Sequence, residues 1–133
     1  MNITILEGVG AVYAEKLKGA GVGTTEKLLK VAAGRKGRRQ LSAATGVSEK
    51  MLLEWVNRAD LMRVKGVGEE YSDLLEAAGV DSVTELRSRR PDHLHKALVE
   101  INMRKNLVRR IPSLGEVERW VTKAKAMDSV VTH

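Results

Sequence analysis

The stretch Leu6-Glu7-Gly8-Val9-Gly10 returns 58 residues later as Val64-Lys65-Gly66-Val67-Gly68. A Gly-x-Gly segment favours a tight turn, because glycine adopts positive φ without the steric cost that a Cβ brings. Helical spacing follows each copy and stops at a second glycine, Gly21 or Gly79, as helices often do. The chain therefore contains the same pattern twice, a Gly-x-Gly turn followed by a helix that ends at a glycine, and this duplication guides the interpretation of the rest of the sequence. The matched positions that follow the turns are Tyr13 with Tyr71, Leu17 with Leu75, and Ala20-Gly21-Val22 with Ala78-Gly79-Val80.

A second correspondence extends the duplication over the whole chain. Aligning Ser48 with Ser113 also aligns Trp55 with Trp120, at an offset of 65 residues. We therefore predict a first repeat over residues 1–62 and a second over residues 63–133, each closed by a Trp helix. The second repeat carries a basic insertion near residues 103–110.

The apolar spacing is helical throughout and shows almost no period-two alternation, so we predict an all-α fold. We expect the two repeats to pack as one pseudo-symmetric helical domain. Predicted helix starts are Thr24 or Thr25, Ser48, Asp81 or Ser82, Pro91 and Ser113. After the basic stretch 34–39, a short helix through Leu41 is expected to end at Gly46. The predicted common core contains Leu17, Leu28, Trp55, Val56, Leu75, Leu86, Leu98, Trp120 and Val121.

Composition narrows the class of protein. Hydrophobic residues make up 43% of the 133 residues, too many for a disordered chain. No apolar run is long enough to span a bilayer, so no membrane association is expected. The absence of cysteine suits a cytoplasmic protein and leaves no thiolate metal site. The net charge of +6 favours an anionic partner, with nucleic acid first.

Over Leu6–Leu28 and Val64–Leu86 the sequence resembles the helix-hairpin-helix superfamily. It is most similar to small prokaryotic tandem helix-hairpin-helix proteins whose function is not established. The wider superfamily includes DNA-repair nucleases, polymerases, ligases and Holliday-junction proteins, in which the module grips the DNA backbone without reading sequence. The resemblance implies that backbone amides in the two turns hold phosphates, at Gly8, Val9 and Gly10 and at Gly66, Val67 and Gly68.

The residues that follow the turns depart from the pattern of DNA-binding hairpins. Ala11-Val12 follows the first turn, and Glu69-Glu70 follows the second. From Gly66 to Leu86 there are six acids and no Lys or Arg. Because two carboxylates already satisfy the dipole of the second helix, we expect the second turn to be a poor phosphate site. The first turn, with Lys16 nearby, is the better candidate, although its glycines could serve the turn alone.

Cations cluster away from the turns. The candidate nucleic-acid-binding cations, beyond Lys16, are Arg35, Lys36, Arg38, Arg39, Arg89, Arg90, Arg109 and Arg110. Segregation of this kind is typical of a footprint for a polyanion. The same clusters would also suit a solvated face or an acidic protein partner, including a second copy of the chain.

Catalysis receives no support from the sequence. His93 and His95 are two residues apart, so on one helix they diverge by about 200° and cannot share a metal ion. We therefore expect no enzyme, no cofactor and no metal. The paired aromatic positions are expected in the core, which disfavours base stacking. We predict a binding module that contacts phosphates of duplex or branched DNA. The alternative is a protein-interaction or scaffolding protein, self-associating, with purely structural hairpins.

Overall fold

The computed structural model describes residues 1–133, and it is entirely helical, as predicted. A short 3₁₀ helix over Ile3–Ile5 precedes eight α-helices. The only β-type pairing is one isolated bridge between Asn2 and Thr24. The eight helices are α1 Ala11–Gly19, α2 Thr25–Ala32, α3 Arg35–Thr45, α4 Glu49–Leu61, α5 Glu69–Ala77, α6 Val83–Arg87, α7 Pro91–Lys105 and α8 Leu114–Lys125.

Several helix starts lie where the sequence predicts them. Thr24 caps α2 with its side-chain oxygen, and Ser82 caps α6 in the same way. Ser113 and Glu116 form a reciprocal capping box at the start of α8. Pro91 occupies the first turn of α7, where its missing N–H costs no hydrogen bond.

The chain divides into two compact units. Unit 1 comprises residues 1–60 together with residues 130–133, and unit 2 comprises residues 61–129. The last four residues thus belong to unit 1, although the sequence-based division groups them with the second repeat. In unit 1, the Thr132 N–H donates to the Ala33 carbonyl over 2.9 Å.

In unit 1, helix α3 begins earlier than the predicted short helix. It starts at Arg35 and includes all four cations of the basic stretch, and Gly46 is its C-cap, as expected. A Cβ on Gly37 would lie only 1.9 Å from the Val31 carbonyl oxygen of α2. The glycine inside this stretch therefore permits a close approach of two helices.

In unit 2, α8 packs against α6 and α7, and α5 packs against α7. The nine predicted core residues are all buried, with at most 2% of their surface exposed. Five of them, Leu75, Leu86, Leu98, Trp120 and Val121, belong to one hydrophobic cluster made of residues of unit 2. Apolar burial of this kind is the main favourable contribution to folding.

Candidate nucleic-acid interface

The two Gly-x-Gly turns have nearly the same backbone geometry. Gly8 has φ +89° and Gly66 has φ +96°, values that strain any residue with a side chain. The middle valine of each turn is buried, and its N–H donates within the turn, from Val9 to the Leu6 carbonyl and from Val67 to the Val64 carbonyl. The amides of Val9 and Val67 therefore hold the turns together, which is a different role from the predicted phosphate contact.

A tryptophan lies directly against each turn. A Cβ on Gly8 would be 3.2 Å from the indole Nε1 of Trp55, and one on Gly66 would be 3.0 Å from Nε1 of Trp120. Each indole also packs edge-on or tilted against the tyrosine that follows its turn. The ring centroids of Tyr13 and Trp55 are 5.4 Å apart, and those of Tyr71 and Trp120 are 5.2 Å apart.

The helices that follow the turns begin without a side-chain cap. Gly10 precedes α1 and Gly68 precedes α5, and neither has a side chain that could accept a hydrogen bond from the first N–H groups of its helix. The carbonyls of the two glycines accept the N–H groups of Ala14 and Ser72, each over 2.9 Å. The first turn of α1 contains no acid, whereas that of α5 contains Glu69 and Glu70. The start of α1 is therefore open to an external anion, while the start of α5 already has two carboxylates beside it.

A cation lies over the tyrosine in each unit. The Lys16 ammonium is 5.9 Å from the centroid of the Tyr13 ring, and the Arg110 guanidinium carbon is 5.9 Å from that of Tyr71. Lys16 comes from the same helix as its tyrosine, but Arg110 arrives from a loop 39 residues further along the chain. Two different parts of the sequence thus place a cation over the tyrosine that follows each turn.

The second turn opens into a pocket of about 480 Å³. It is lined by Gly66, Gly68, Glu69, Glu70, Tyr71, Arg109 and Arg110. Sequence reasoning missed this grouping, because nothing local links the two arginines to the turn. The only relevant sign was the excess of cations in the insertion near residues 103–110.

Arg110 is held firmly at the edge of this pocket. Its guanidinium donates two hydrogen bonds to the Glu116 carboxylate, at 2.7 and 3.0 Å, and its carbonyl accepts the Tyr71 hydroxyl at 2.9 Å. The Arg110 side chain, together with the Ser113 N–H, lowers the pKa of Glu116 to about 2. Arg109 is exposed and makes no such contact, so it is the guanidinium in the pocket available to a ligand.

One predicted DNA contact is contradicted by the structure. Arg38 is only 4% exposed, and its guanidinium donates to the carbonyls of Ala32, Ala33 and Thr132. Burial, with Arg35 close by, lowers the pKa of Arg38. Arg38 therefore ties the end of α2 to residues 130–133 and cannot reach a phosphate.

The other cations of α3 face solvent. Arg35, Lys36 and Arg39 are exposed and lie within about 100° of one another around the helix axis. The Arg35 Nε donates to the carbonyl of His133 over 2.5 Å. The exposed face of α3 therefore presents three cations, with Lys36 and Arg39 free of such contacts.

Arg89 and Arg90 lie in unit 2 but do not line the pocket. Arg89 is half-buried, pairs with Glu85 at 2.9 Å and donates to the Gly79 carbonyl at 3.1 Å. Arg90 is exposed and pairs with Asp92 at 3.0 Å. Arg89 thus braces the connection between α5 and α6, and only Arg90 keeps a mostly exposed guanidinium.

Two features bear on other kinds of site. No group of three or more His, Cys, Asp or Glu side chains in residues 1–133 is arranged to hold a metal ion. None of the eight α-helices combines the length and apolar character needed to cross a membrane.

A family described as "Domain of unknown function (DUF4332)" matches residues 7–127. The chain belongs to this family. The DUF4332 match contains both Gly-x-Gly turns, both tryptophans and the pocket of unit 2. No curated protein and no solved structure is similar enough to match the chain. The DUF4332 description names no helix-hairpin-helix fold, so that resemblance stays a prediction.

Proposed function

We propose that this DUF4332 chain is a non-catalytic, tandem helix-hairpin-helix module of the cytoplasm that binds DNA through backbone phosphates, without sequence preference. The interpretation as a duplication rests on features that occur in both units. In each, a glycine with positive φ precedes an uncapped helix, and a tryptophan lies against that glycine. Pseudo-symmetry of the two repeats is part of the proposal.

The observation that carries the proposal is the cation beside each turn. Lys16 and Arg110 lie at the same distance from Tyr13 and Tyr71, although they come from unrelated positions in the sequence. The first turn thereby combines the N–H groups of an uncapped helix start with a positive side chain, and this combination suits a phosphate. The second turn has the same parts, but Glu69 and Glu70 lie beside them. Contacts to phosphates position a protein on DNA but carry no sequence information.

The proposed footprint is a revised version of the sequence prediction. In unit 1 it consists of Gly8, Gly10, Lys16 and the exposed cations of α3. In unit 2 it consists of Gly66, Gly68, Arg90 and Arg109, with Arg110 held at the edge of the pocket by Glu116. Arg38 is excluded by its burial, and Arg89 by its contacts with Glu85 and Gly79.

Fluorescence anisotropy of labelled duplex, single-stranded and four-way DNA across a salt series tests the proposal. We expect a log–log slope of about −3 to −5, which corresponds to roughly three to six neutralised phosphates. We expect Lys36→Glu with Arg39→Glu to weaken duplex binding about tenfold or more, because both cations are exposed.

The matched control is Lys27→Glu with Lys30→Glu, the same charge change on exposed residues of α2 in the same unit. If both double variants weaken binding equally, attraction is a matter of net charge and the α3 footprint is wrong. Absence of binding at ~50 mM salt, where screening is weak, would refute DNA binding itself.

A second candidate function is protein interaction or scaffolding. Ala11 and Val12 are exposed at the start of α1, Val12 by 68%, and with Glu15 and Lys16 they line a shallow, mostly apolar depression. An apolar residue at the mouth of the turn suits a protein surface better than a phosphate. Sedimentation of the parent and of Val12→Ser over a concentration series would show whether this depression mediates self-association.

A further inference from the structure

The end of α7 presents apolar and basic side chains together. Met103 is 78% exposed and Leu107 is 38% exposed, and Arg104, Lys105 and Arg109 around them in the sequence are also exposed. We call residues 103–110 the basic tip. Single exposed apolar residues are common on proteins, but here two of them occur among three cations, so this surface is both apolar and positively charged.

The basic tip is held in one conformation. Asn106 ends α7 in the left-handed region, at φ 50°, and its N–H donates to the Asn102 carbonyl at 2.8 Å. The buried Asn102 side chain donates to the Val108 carbonyl at 3.1 Å and accepts the Val108 N–H at 2.9 Å. Because Val108 is itself buried, Met103 and Leu107 are displayed by a braced turn.

The basic tip continues directly into the pocket of unit 2. Arg109 and Arg110, its last two residues, line that pocket together with Gly66 and Gly68. A pocket that contains two arginines and two exposed apolar residues are therefore adjacent along the chain of one unit. A ligand that contacts both would offer anionic groups next to an apolar surface.

We propose that the basic tip recognises interruptions in duplex DNA, with Met103 and Leu107 inserted where base stacking is broken and with Arg104, Lys105 and Arg109 on the flanking phosphates. This proposal rests on the proposed DNA binding and adds the class of DNA. Apolar side chains wedge between base steps in several architectural proteins, at the cost of unstacking. At a gap or a junction the stack is already interrupted, so the cost is smallest there. Trp55 and Trp120 are buried, which leaves aliphatic residues for this role.

The test compares one labelled duplex, intact or with a short internal gap, bound to the full chain and to Met103→Ser with Leu107→Ser. We expect the parent to bind the gapped duplex about tenfold more tightly and the variant to lose that preference to within about twofold. Binding of the intact duplex should stay nearly unchanged, because the cations remain. A 2-aminopurine base beside the gap should change its fluorescence with the parent only.

Leu114→Ser is the matched control, since it removes an exposed apolar residue of unit 2 that lies outside the basic tip and the pocket and should leave the preference intact. Equal thermal melting of the three proteins excludes misfolding. A preference for gapped DNA that survives in the double variant overturns the proposal. Intact-duplex binding without any preference in the parent also overturns it, while DNA binding stands.

Two further results would contradict DNA as the ligand of the basic tip. Absence of binding to every DNA refutes the proposed function, and the assignment of the basic tip with it. Binding of the parent to vesicles with about 30% phosphatidylserine, lost in the double variant and unaccompanied by a gap preference, would assign the basic tip to an anionic membrane instead.

Discussion

The two Gly-x-Gly turns share their backbone but differ in the charges around them. Gly8 and Gly66 have φ values within a few degrees of each other, and each lies against a tryptophan nitrogen. The first turn has no acid in the following helical turn and one lysine nearby, whereas the second has Glu69 and Glu70 facing a pocket that also holds arginines. Turn geometry therefore follows from glycine and tryptophan, while affinity for an anion depends on what the rest of each unit places beside the turn.

The largest effect is expected where the two turns are alike. Gly8→Ala and Gly66→Ala should each lower the free energy of unfolding by about 2 kcal/mol, because both residues have positive φ and little space before the indole. Urea unfolding followed by tryptophan fluorescence measures this. Gly10→Ala and Gly68→Ala are the controls, since nothing lies within 4 Å of a Cβ there and neither glycine has positive φ. Equal losses at all four glycines would show that neither the positive φ nor the indole contact makes Gly8 and Gly66 special.

A carboxylate introduced at the start of α1 or of α5 should have different effects on duplex binding at the two turns. Gly10→Asp should weaken duplex binding about tenfold, because the new side chain caps α1 and occupies the position proposed for a phosphate. Gly68→Asp should change it by about twofold at most, since Glu69 and Glu70 already lie there. Salt-series anisotropy gives both values.

Asparagine at the same positions is the control for the carboxylate, because it caps without a charge. Thermal melting should show that none of these four variants is destabilised. If Gly10→Asp and Gly68→Asp weaken binding equally, the two turns bind phosphate equally well, which contradicts the proposal that the first turn is the better anion site.

Removing the acids should make the second turn more like the first. Glu69→Gln with Glu70→Gln is expected to tighten duplex binding about threefold at ~100 mM salt, because Arg109 is then no longer opposed by two carboxylates. Glu100→Gln with Glu118→Gln is the matched control, since these exposed acids of unit 2 do not line the pocket. Equal tightening by both pairs would indicate a general charge effect.

The smallest expected effect is the loss of stability at low pH when the ion pair between Arg110 and Glu116 is broken. The pKa of Glu116 in the folded chain is about 2, below its ordinary value of 4.5. The pair therefore contributes its full stability above pH 4.5, and this contribution is lost as the pH falls toward 2. Urea midpoints of the parent should fall over that interval more steeply than those of Glu116→Gln. Parallel pH profiles would mean that Arg110 does not stabilise the carboxylate, and that it is free for a ligand.

Local features of the sequence determined most of the helical structure. Thr24, Ser82 and Ser113 cap helices by accepting a hydrogen bond from the backbone N–H three residues further on. The local sequence is therefore sufficient to predict where these helices start. The start of α3 was predicted too late, because a glycine in a basic stretch reads as a helix breaker until the neighbouring α2 backbone is known. The predicted core residues are buried because apolar periodicity follows the helix period.

The roles of the charged residues were decided by tertiary structure. Arg38 and Arg39 are adjacent and chemically identical, yet one is buried among carbonyl groups and the other is exposed. Arg109 and Arg110 reach the second turn only because the chain from α7 folds back to it. By itself the sequence determined where backbone and apolar side chains form helices, turns and core, since those preferences act over a few residues. Which cations meet which turn depends on contacts across tens of residues, and only the folded chain brings these together.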